Sequence, residues 1–450
     1  MNKTVKKTVI MLIWLALWQV IAFFVDNPLY FASPFETVSE LIVKLGDGLF
    51  WESVGRSLVR ILGGFCAACL LAYLCAVLSF TFSWLGSFLE PFIAFLKSVP
   101  VAAVAVILLI WWGPPYLVLC ISMMVVFPNI YMNLLTGLRS ADKKLLEMAD
   151  IFEMRPKERL LWIFRPAYVP YLHSAVSVSL GMGFKSGVAA EIIGLPEFSI
   201  GERLYRDKIY LNTPGVFAWV VVILVLGALT ERIIMFALNR FSDFPAPCPQ
   251  TCDALSSMND HRVPRDHTVI TKDLEKSYGG RKVVDANISL ERGKIYAVVS
   301  PSGTGKTTFL NILAGLVKAD SGSFSTGKIS MVFQDDRLIE QANGPRNLQI
   351  AKCTGDLSGE LAGLLSFETA QLPASKMSGG ERRRLAVARA ILADSDVVIM
   401  DEPFSGMDNE TVVRTSEWIL HRLNGRTLLM STHDADIVSG LNAVIVKHTS

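Results

Sequence analysis

The sequence predicts a multidomain protein, with an all-α half of six membrane spans followed by an α/β half wound around a phosphate-binding loop. Three observations carry this. Uninterrupted apolar runs crowd residues 1–240, and the chain as a whole is 51% hydrophobic with a mean hydropathy of +0.41, more than a soluble protein of 450 residues needs. A glycine-rich nonamer, Ser300-Pro301-Ser302-Gly303-Thr304-Gly305-Lys306-Thr307-Thr308, joins an apolar strand (295–299) to a helical run (309–316). Lysine and arginine are distributed unevenly between the loops of the apolar half.

Lys3, Lys6 and Lys7 precede an apolar run over 9–25 that carries no small-residue cleavage site and approaches the roughly 20 residues that span a bilayer, so it reads as span 1. A short amphipathic helix is expected over 34–45. Further spans follow at about 58–80, 88–111, 116–137, 169–192 and 214–238. The N-terminus carries three basic residues and segment 138–168 carries seven (Arg139, Lys143, Lys144, Arg155, Lys157, Arg159, Arg165), against two and three in the other long loops. Basic loops face the cytoplasm. Six spans then return the chain to the cytoplasm at Arg240, the side where a nucleoside triphosphate is available; Arg56 and Arg60, at the outer end of span 2, run against the rule. Lys97, Lys185 and Glu191 are ionisable residues inside spans, where charge is costly, and pairing among them competes with contact to a solute.

Charge and cysteine content exclude other classes. A net charge of +2 gives no basic surface for nucleic acid. The seven cysteines are odd in number and four lie in apolar runs, so no disulfide framework is implied; Cys66 and Cys69 read as packing residues, and Cys248 and Cys252 as free thiols. The latter pair falls in 241–267, a proline-rich stretch without periodicity that reads as a linker before an α/β domain at 268–450.

Strand, glycine-rich turn and helix start together form an anion cradle. Backbone N–H groups and the helix N-terminus face phosphate, Lys306 reaches the outer phosphates, and the Thr307 hydroxyl is offered to Mg²⁺. The pattern is G-x-x-x-x-G-K-[ST] with Ser300 at the first glycine. Downstream signals arrive in a fixed order. Tyr278 ends a strand, where its ring can stack on a base, and Gln334 follows the strand 330–333. Ser378-Gly379-Gly380-Glu381 opens an arginine-rich helix, a second anion-binding N-terminus. The apolar strand 397–400 delivers Asp401 and Glu402, which suits one carboxylate for Mg²⁺ and one for a water. Asp408 follows, and a last strand ends at Thr432-His433-Asp434.

In this order the motifs make residues 268–450 resemble the ATPase domain of ABC transporters. The resemblance implies ATP and Mg²⁺ as ligands. Tyr278 would stack on adenine, the loop from Ser300 to Thr308 would hold the phosphates, and Thr307, Gln334 and Asp401 would surround the metal. Gln334 would also link nucleotide to the membrane half. Glu402 would polarise the attacking water, His433 would sense the γ-phosphate, and Asp408 would serve the dimer loop. Ser378, Gly379 and Gly380 would complete the site of a second copy. Ser300, Met377, Glu381 and the pair Gly406-Met407 depart from the usual pattern without removing a catalytic group.

Within the basic loop, Glu147-Met148-Ala149-x3-Glu153-x9-Ile163-x-Arg165-Pro166 resembles the cytoplasmic loop of ABC importer permeases, and most of residues 1–240 is similar to permeases of the nitrate, sulfonate and taurine importer family. Glu153 stands where those permeases have glycine. An L-residue with positive φ costs roughly 1–2 kcal/mol and an exposed ion pair returns at most about 1 kcal/mol, so the expectation is that the helix break is built differently here, by Pro156. The resemblance thus implies a six-span permease domain fused to an ABC ATPase domain in a bacterial cytoplasmic (inner) membrane. Such a chain would import a small solute, with nitrate, sulfonate or taurine as the family default, and would work with a second copy of itself and an external solute-binding protein. An exporter half-transporter and a non-transporting regulator are the alternatives. The loop motif speaks against the first, and the short outer segments against the second.

Overall fold

The computed structural model describes residues 3–27, 29–242, 267–301, 303–353 and 356–448. The chain divides into two compact units, residues 1–140 with 166–245 and residues 141–165 with 246–450. Ser302, Cys248, Cys252 and most of the linker expected over 241–267 lie outside the described residues.

The first unit is helical. It holds α1 (Lys3–Val25), α2 (Pro34–Leu45), α3 (Gly48–Thr81), α4 (Ser83–Ser98), α5 (Val101–Trp112) and α6 (Pro114–Arg139). After α7 (Lys143–Ile151) and α8 (Pro156–Arg159), which belong to the second unit, come α9 (Arg165–Gly194), α10 (Ile200–Ile209) and α11 (Thr213–Ser242). The amphipathic α2 starts where its capping box dictates: the Ser33 side chain accepts from the Glu36 N–H and the Glu36 carboxylate accepts from the Ser33 N–H. Glycines let α3, α6 and α9 approach closely, as membrane helices require. A Cβ on Gly64 would lie 2.7 Å from the Leu119 carbonyl, and one on Gly187 would lie 2.7 Å from Ile61 and 3.0 Å from the Ser122 hydroxyl.

Among the described residues five helices are long and apolar enough to cross a membrane, and six spans result if α4 and α5 count as one. The span expected at 88–111 is this pair, broken at Val99-Pro100 with a bend of 102°. Pro100 has no N–H to continue α4 and forces the residue before it out of helical geometry; Val99 sits at ψ 129°. The pair still traverses the unit. Gly86 near the start of α4 lies beside Arg139 at the C-terminal end of α6, whereas α5 ends at Gly113, the cap of the N-terminal end of α6.

Ionisable residues in this unit separate into two groups. Glu191 is fully buried, accepting from the Ser57 hydroxyl (2.8 Å) and the Gly201 N–H (3.1 Å), while Ser57 accepts from the Ile200 N–H (2.9 Å). It ties α3 and α9 to the start of α10, a structural role. Lys97 and Lys185 are exposed. The outer arginines are accounted for by the turn before α10: Arg60 donates to the Glu197 carbonyl (3.1 Å) and Arg56 lies 4.5 Å over the Phe198 ring.

The second unit is α/β. Its strands are β1 (His267–Tyr278), β2 (Arg281–Ala286), β3 (Ser289–Glu291), β4 (Ile295–Val299), β5 (Ser321–Thr326), β6 (Ile329–Val332), β7 (Val397–Asp401), β8 (Thr427–Thr432) and β9 (Val444–Val446). Between them lie α12 (Lys306–Leu313), α13 (Gly344–Ile350), α14 (Leu357–Leu361), α15 (Phe367–Gln371), α16 (Gly379–Leu392), α17 (Asn409–Arg422) and α18 (Ala435–Gly440). β1 centres an antiparallel sheet with β2, β3 and β5. The other sheet is parallel, in the order β6-β7-β8-β4-β9. β7 and β8 are buried along their whole length, which is why they read as continuous apolar runs. In a parallel sheet every strand delivers its C-terminal end to the same edge, and that edge is where ligands bind.

Candidate nucleotide site

Four strand ends build the site. The glycine-rich loop follows β4, Gln334 follows β6, Asp401 and Glu402 close β7, and Thr432-His433 close β8; the register sets Asp401 opposite Ser431 and Val299 opposite Thr432.

The loop's glycines are needed for shape. Gly303 and Gly305 have φ of 80° and 100°, and a Cβ on Gly305 would lie 2.4 Å from the Val283 carbonyl of β2. Ser300 is not among the residues with positive φ, so its side chain strains nothing; its hydroxyl pairs with that of Thr304 at 2.7 Å. Thr304 also donates to the Pro301 carbonyl (2.7 Å). Lys306 is nearly buried, and its ammonium donates to the carbonyls of Ser300 and Pro301. Thr308 is half-buried in the first turn of α12.

Thr307, Gln334 and Asp401 line one cavity of about 330 Å³, shared with Asn311, Asp335, Arg337 and Lys144. Asp401 is 1% exposed. Its Oδ1 accepts from the Ser431 hydroxyl (2.5 Å), whereas Oδ2 is buried with no hydrogen-bond partner. An orphaned carboxylate oxygen beside a threonine hydroxyl and an amide is a hard-oxygen donor set, and it fits Mg²⁺. Glu402 has a φ of 47°; its N–H is held by the Ser431 hydroxyl (3.0 Å) and its carbonyl by Arg383 (2.6 Å). The exposed His433 places Nδ1 3.9 Å from Glu402 Oε1.

The other predicted residues lie elsewhere. Tyr278, at the end of β1, is 53% exposed with the Lys276 ammonium 5.5 Å over its ring. Ser378 caps α16 in a capping box with Glu381, which accounts for a glutamate in that motif: bonds from the Ser378 N–H and hydroxyl hold its carboxyl below the usual range. Gly379 and Gly380 open the same helix, and Gly380 lies against the Gly406 carbonyl. Asp408 caps α17 through Thr411, whose hydroxyl and N–H lower its pKa. None of these five lines the cavity of Thr307 and Asp401.

Sequence reasoning missed the residues that hold this edge together. Arg383, 3% exposed, donates to the carbonyls of Phe333 (2.6 Å), Asp401 (2.6 Å), Glu402 (2.6 Å) and Pro403 (3.2 Å), joining the ends of β6 and β7. Ser431, the next-to-last residue of β8, carries no motif of its own. Buried Arg389 donates to the carbonyls of Arg337 and Asp336, its pKa pushed down to about 10 by burial.

Segment 141–165 packs in the same unit. Lys144 pairs with Asp335 (2.6 Å), Asp335 with Arg337 (2.9 Å) and Arg337 with Glu147 (2.6 Å), a chain that runs from α7 to the residue next to Gln334. Arg389 sits 4.9 Å under the Phe152 ring, and Arg346 5.2 Å from that of Trp162. Glu153 corrects the expectation of a differently built break. Its φ is 47°, the conformation a glycine would take there, and its carboxylate meets Lys352 at 3.1 Å. The cause is local. The Met154 N–H bonds to the Ala149 carbonyl (2.8 Å) and the Glu153 N–H to the Asp150 carbonyl (3.1 Å), a Schellman cap in which Met154 is buried. Arg159 of α8 locks it from outside, donating to the Met154 and Ala149 carbonyls and to Asp150. Pro156 does start α8, after the turn is made.

Two family models match: "ABC transporter" over residues 283–405 and "Binding-protein-dependent transport system inner membrane component" over 68–242. The aliphatic sulfonates import ATP-binding protein SsuB 1 of Nocardia farcinica is 34% identical over 174 residues, 36% of this chain and 70% of that protein. The chain belongs to the ABC transporter family. Similar in the ATPase half of this ABC transporter are SsuB 2 of Pseudomonas syringae pv. tomato (35% identical; 36% of this chain, 73% of that one) and the lipoprotein-releasing system ATP-binding protein LolD of Porphyromonas gingivalis (30%; 39% and 93%). The solved structure of a dimeric bacterial ABC transporter cassette aligns at 24% identity with a TM-score of 0.36, over 40% of this chain and 95% of that one. An importer-type permease and an ABC ATPase, which hydrolyses ATP to drive transport, are thus fused in one membrane chain.

Proposed function

We propose that this ABC transporter imports a small anion of the sulfonate class across the bacterial cytoplasmic membrane, with solute handed over by a separate binding protein. The observation that carries the reading is the permease match to a binding-protein-dependent system over 68–242, together with a 141–165 loop packed through Lys144, Glu147 and Phe152 on the edge that holds Gln334. The sulfonate class follows the printed function of the SsuB relatives.

ATP would lie with its phosphates on the 300–308 loop and its base against Tyr278. Mg²⁺, held by Thr307, Gln334 and Asp401, would neutralise phosphate charge. Glu402 would orient the attacking water, and its backbone is fixed on both sides by Ser431 and Arg383 so that its carboxylate is pre-aimed. His433 stands beside that carboxylate. Ser378, Gly379, Gly380 and Asp408 lie outside the cavity, as expected if they complete the site of a second copy. ATP binds the closed pair better than the open one; moving such an equilibrium from 1:99 to 99:1 takes about 5.5 kcal/mol of differential binding. The ion-pair chain Glu147–Arg337–Asp335–Lys144 would carry closure to the permease loop.

The test is to isolate the binding protein that co-purifies with this chain, identify its ligand, and measure ATP-dependent uptake of that ligand. Transport without any binding protein, or in the outward direction, would support the exporter reading instead.

A further inference from the structure

Two residues beyond β9, His448 is 1% exposed behind the phosphate loop. Its Nε2 lies 3.0 Å from the Thr304 carbonyl, its ring 6.1 Å from that of Phe309, and its own carbonyl accepts from the Asp285 N–H of β2 at 3.0 Å. The same strand presses on the loop at Gly305, where a Cβ would meet the Val283 carbonyl. A carbonyl oxygen can only accept, so Nε2 carries the proton. Burial lowers the His448 pKa, and Lys306 nearby adds to that, which keeps the ring neutral with a single N–H to give.

We infer that His448 is a positioning residue for ATP: by holding the Thr304 carbonyl on the β2 side, it turns the Gly305 N–H toward the phosphates. The step rests on peptide geometry. The Thr304–Gly305 peptide is trans, and in a planar trans peptide the carbonyl and the following N–H point in opposite directions. Gly305, at φ 100°, has no side chain to resist rotation of that plane, so its orientation has to be fixed from outside. β2 limits how far Gly305 can retreat, and His448 fixes which way the peptide faces. Neither residue touches ATP's reacting atoms. The inference rests on the 300–308 loop being the phosphate site.

The experiment is ATP affinity of the full chain, measured directly by equilibrium binding, alongside KM and kcat. His448→Phe keeps the ring against Phe309 and removes the donor. It is expected to weaken ATP binding about tenfold, equivalent to about 1.4 kcal/mol, with kcat at saturating ATP changed less than about twofold. His448→Gln, which restores an N–H of similar reach, is expected to recover affinity to within about threefold. If His448→Phe does not fold, His448→Met fills the space without a donor and carries the same comparison. Wild-type ATP affinity in the donor-less variant, or equal losses in the glutamine and donor-less variants, overturns the role. Lys306→Ala separates the two layers: if it too leaves ATP affinity unchanged, the loop assignment has failed rather than the part given to His448.

Discussion

Replacing Glu153 by glycine and by alanine tests how the two helices of the permease loop are joined. Both substitutions remove the ion pair with Lys352. With the two side chains 55% and 40% exposed, that loss is at most about 0.5 kcal/mol after screening, and it is the same in each variant. They differ in backbone strain. At φ 47° alanine keeps roughly 1–2 kcal/mol of left-handed strain that glycine does not feel, and glycine loses about 0.4–1 kcal/mol through its freer unfolded chain. Glu153→Ala should therefore be less stable than Glu153→Gly by about 1 kcal/mol, which in a soluble unit of this size shifts the melting temperature by about 2–4 °C. Thermal unfolding of the two purified variants reads the difference. Glu153→Gly should also keep ATPase stimulation by loaded binding protein, because the Schellman cap and Arg159, not the carboxylate, make the turn. Alanine melting above glycine would mean the break is not left-handed, and a glycine variant that hydrolyses ATP but no longer responds would make Glu153 a coupling contact.

Four further outcomes are expected. Glu402→Gln should bind ATP normally and hydrolyse it at least about 100-fold more slowly, as removal of a water-orienting carboxylate does; steady-state turnover beside nucleotide binding decides it. Lys306→Ala should weaken ATP binding by about 10- to 100-fold, the equivalent of one lost contact between a charge and phosphate, read by equilibrium binding. Ser431→Ala leaves the half-buried Glu402 N–H without an acceptor and the buried Asp401 Oδ1 without a donor, so it should cost about 1–3 kcal/mol in unfolding and lower turnover as well; wild-type turnover would detach Ser431 from the site. Arg337→Ala cuts the chain between Glu147 and Asp335, and it should leave basal ATPase within a few-fold while flattening the response to loaded binding protein.

What the sequence made legible is what local chemistry encodes. The span positions follow from apolar run length, the phosphate loop from its glycines and lysine, α2 from its amphipathic pattern, and the broken span from Pro100. Asp401 and Glu402 could be placed at a strand end because a fully buried parallel strand leaves an unbroken apolar run that stops at its two carboxylates. The illegible part depends on partners distant in the chain. Ser431 acts because the register of β7 and β8 sets it opposite Asp401. Arg383 reads as one more basic residue at an anion-binding helix end, yet its guanidinium is spent on backbone carbonyls that only the folded sheet edge brings together. At Glu153 an exposed ion pair alone cannot offset the backbone strain; the two capping hydrogen bonds and the burial of Met154, which do offset it, arise only once α7 and α8 are in place. His448 carries no motif at all, and its position follows from β9 adding beside β4.

The most direct test of ATP-driven import is a flux measurement on the full chain in sealed proteoliposomes, with the co-purifying binding protein and its labelled ligand on one side and Mg²⁺ and ATP on the side of the ATPase. The account predicts accumulation of ligand toward the ATP side, dependent on loaded binding protein and abolished by Glu402→Gln. ATP hydrolysis without ligand movement, or ligand leaving the ATP side, would contradict it.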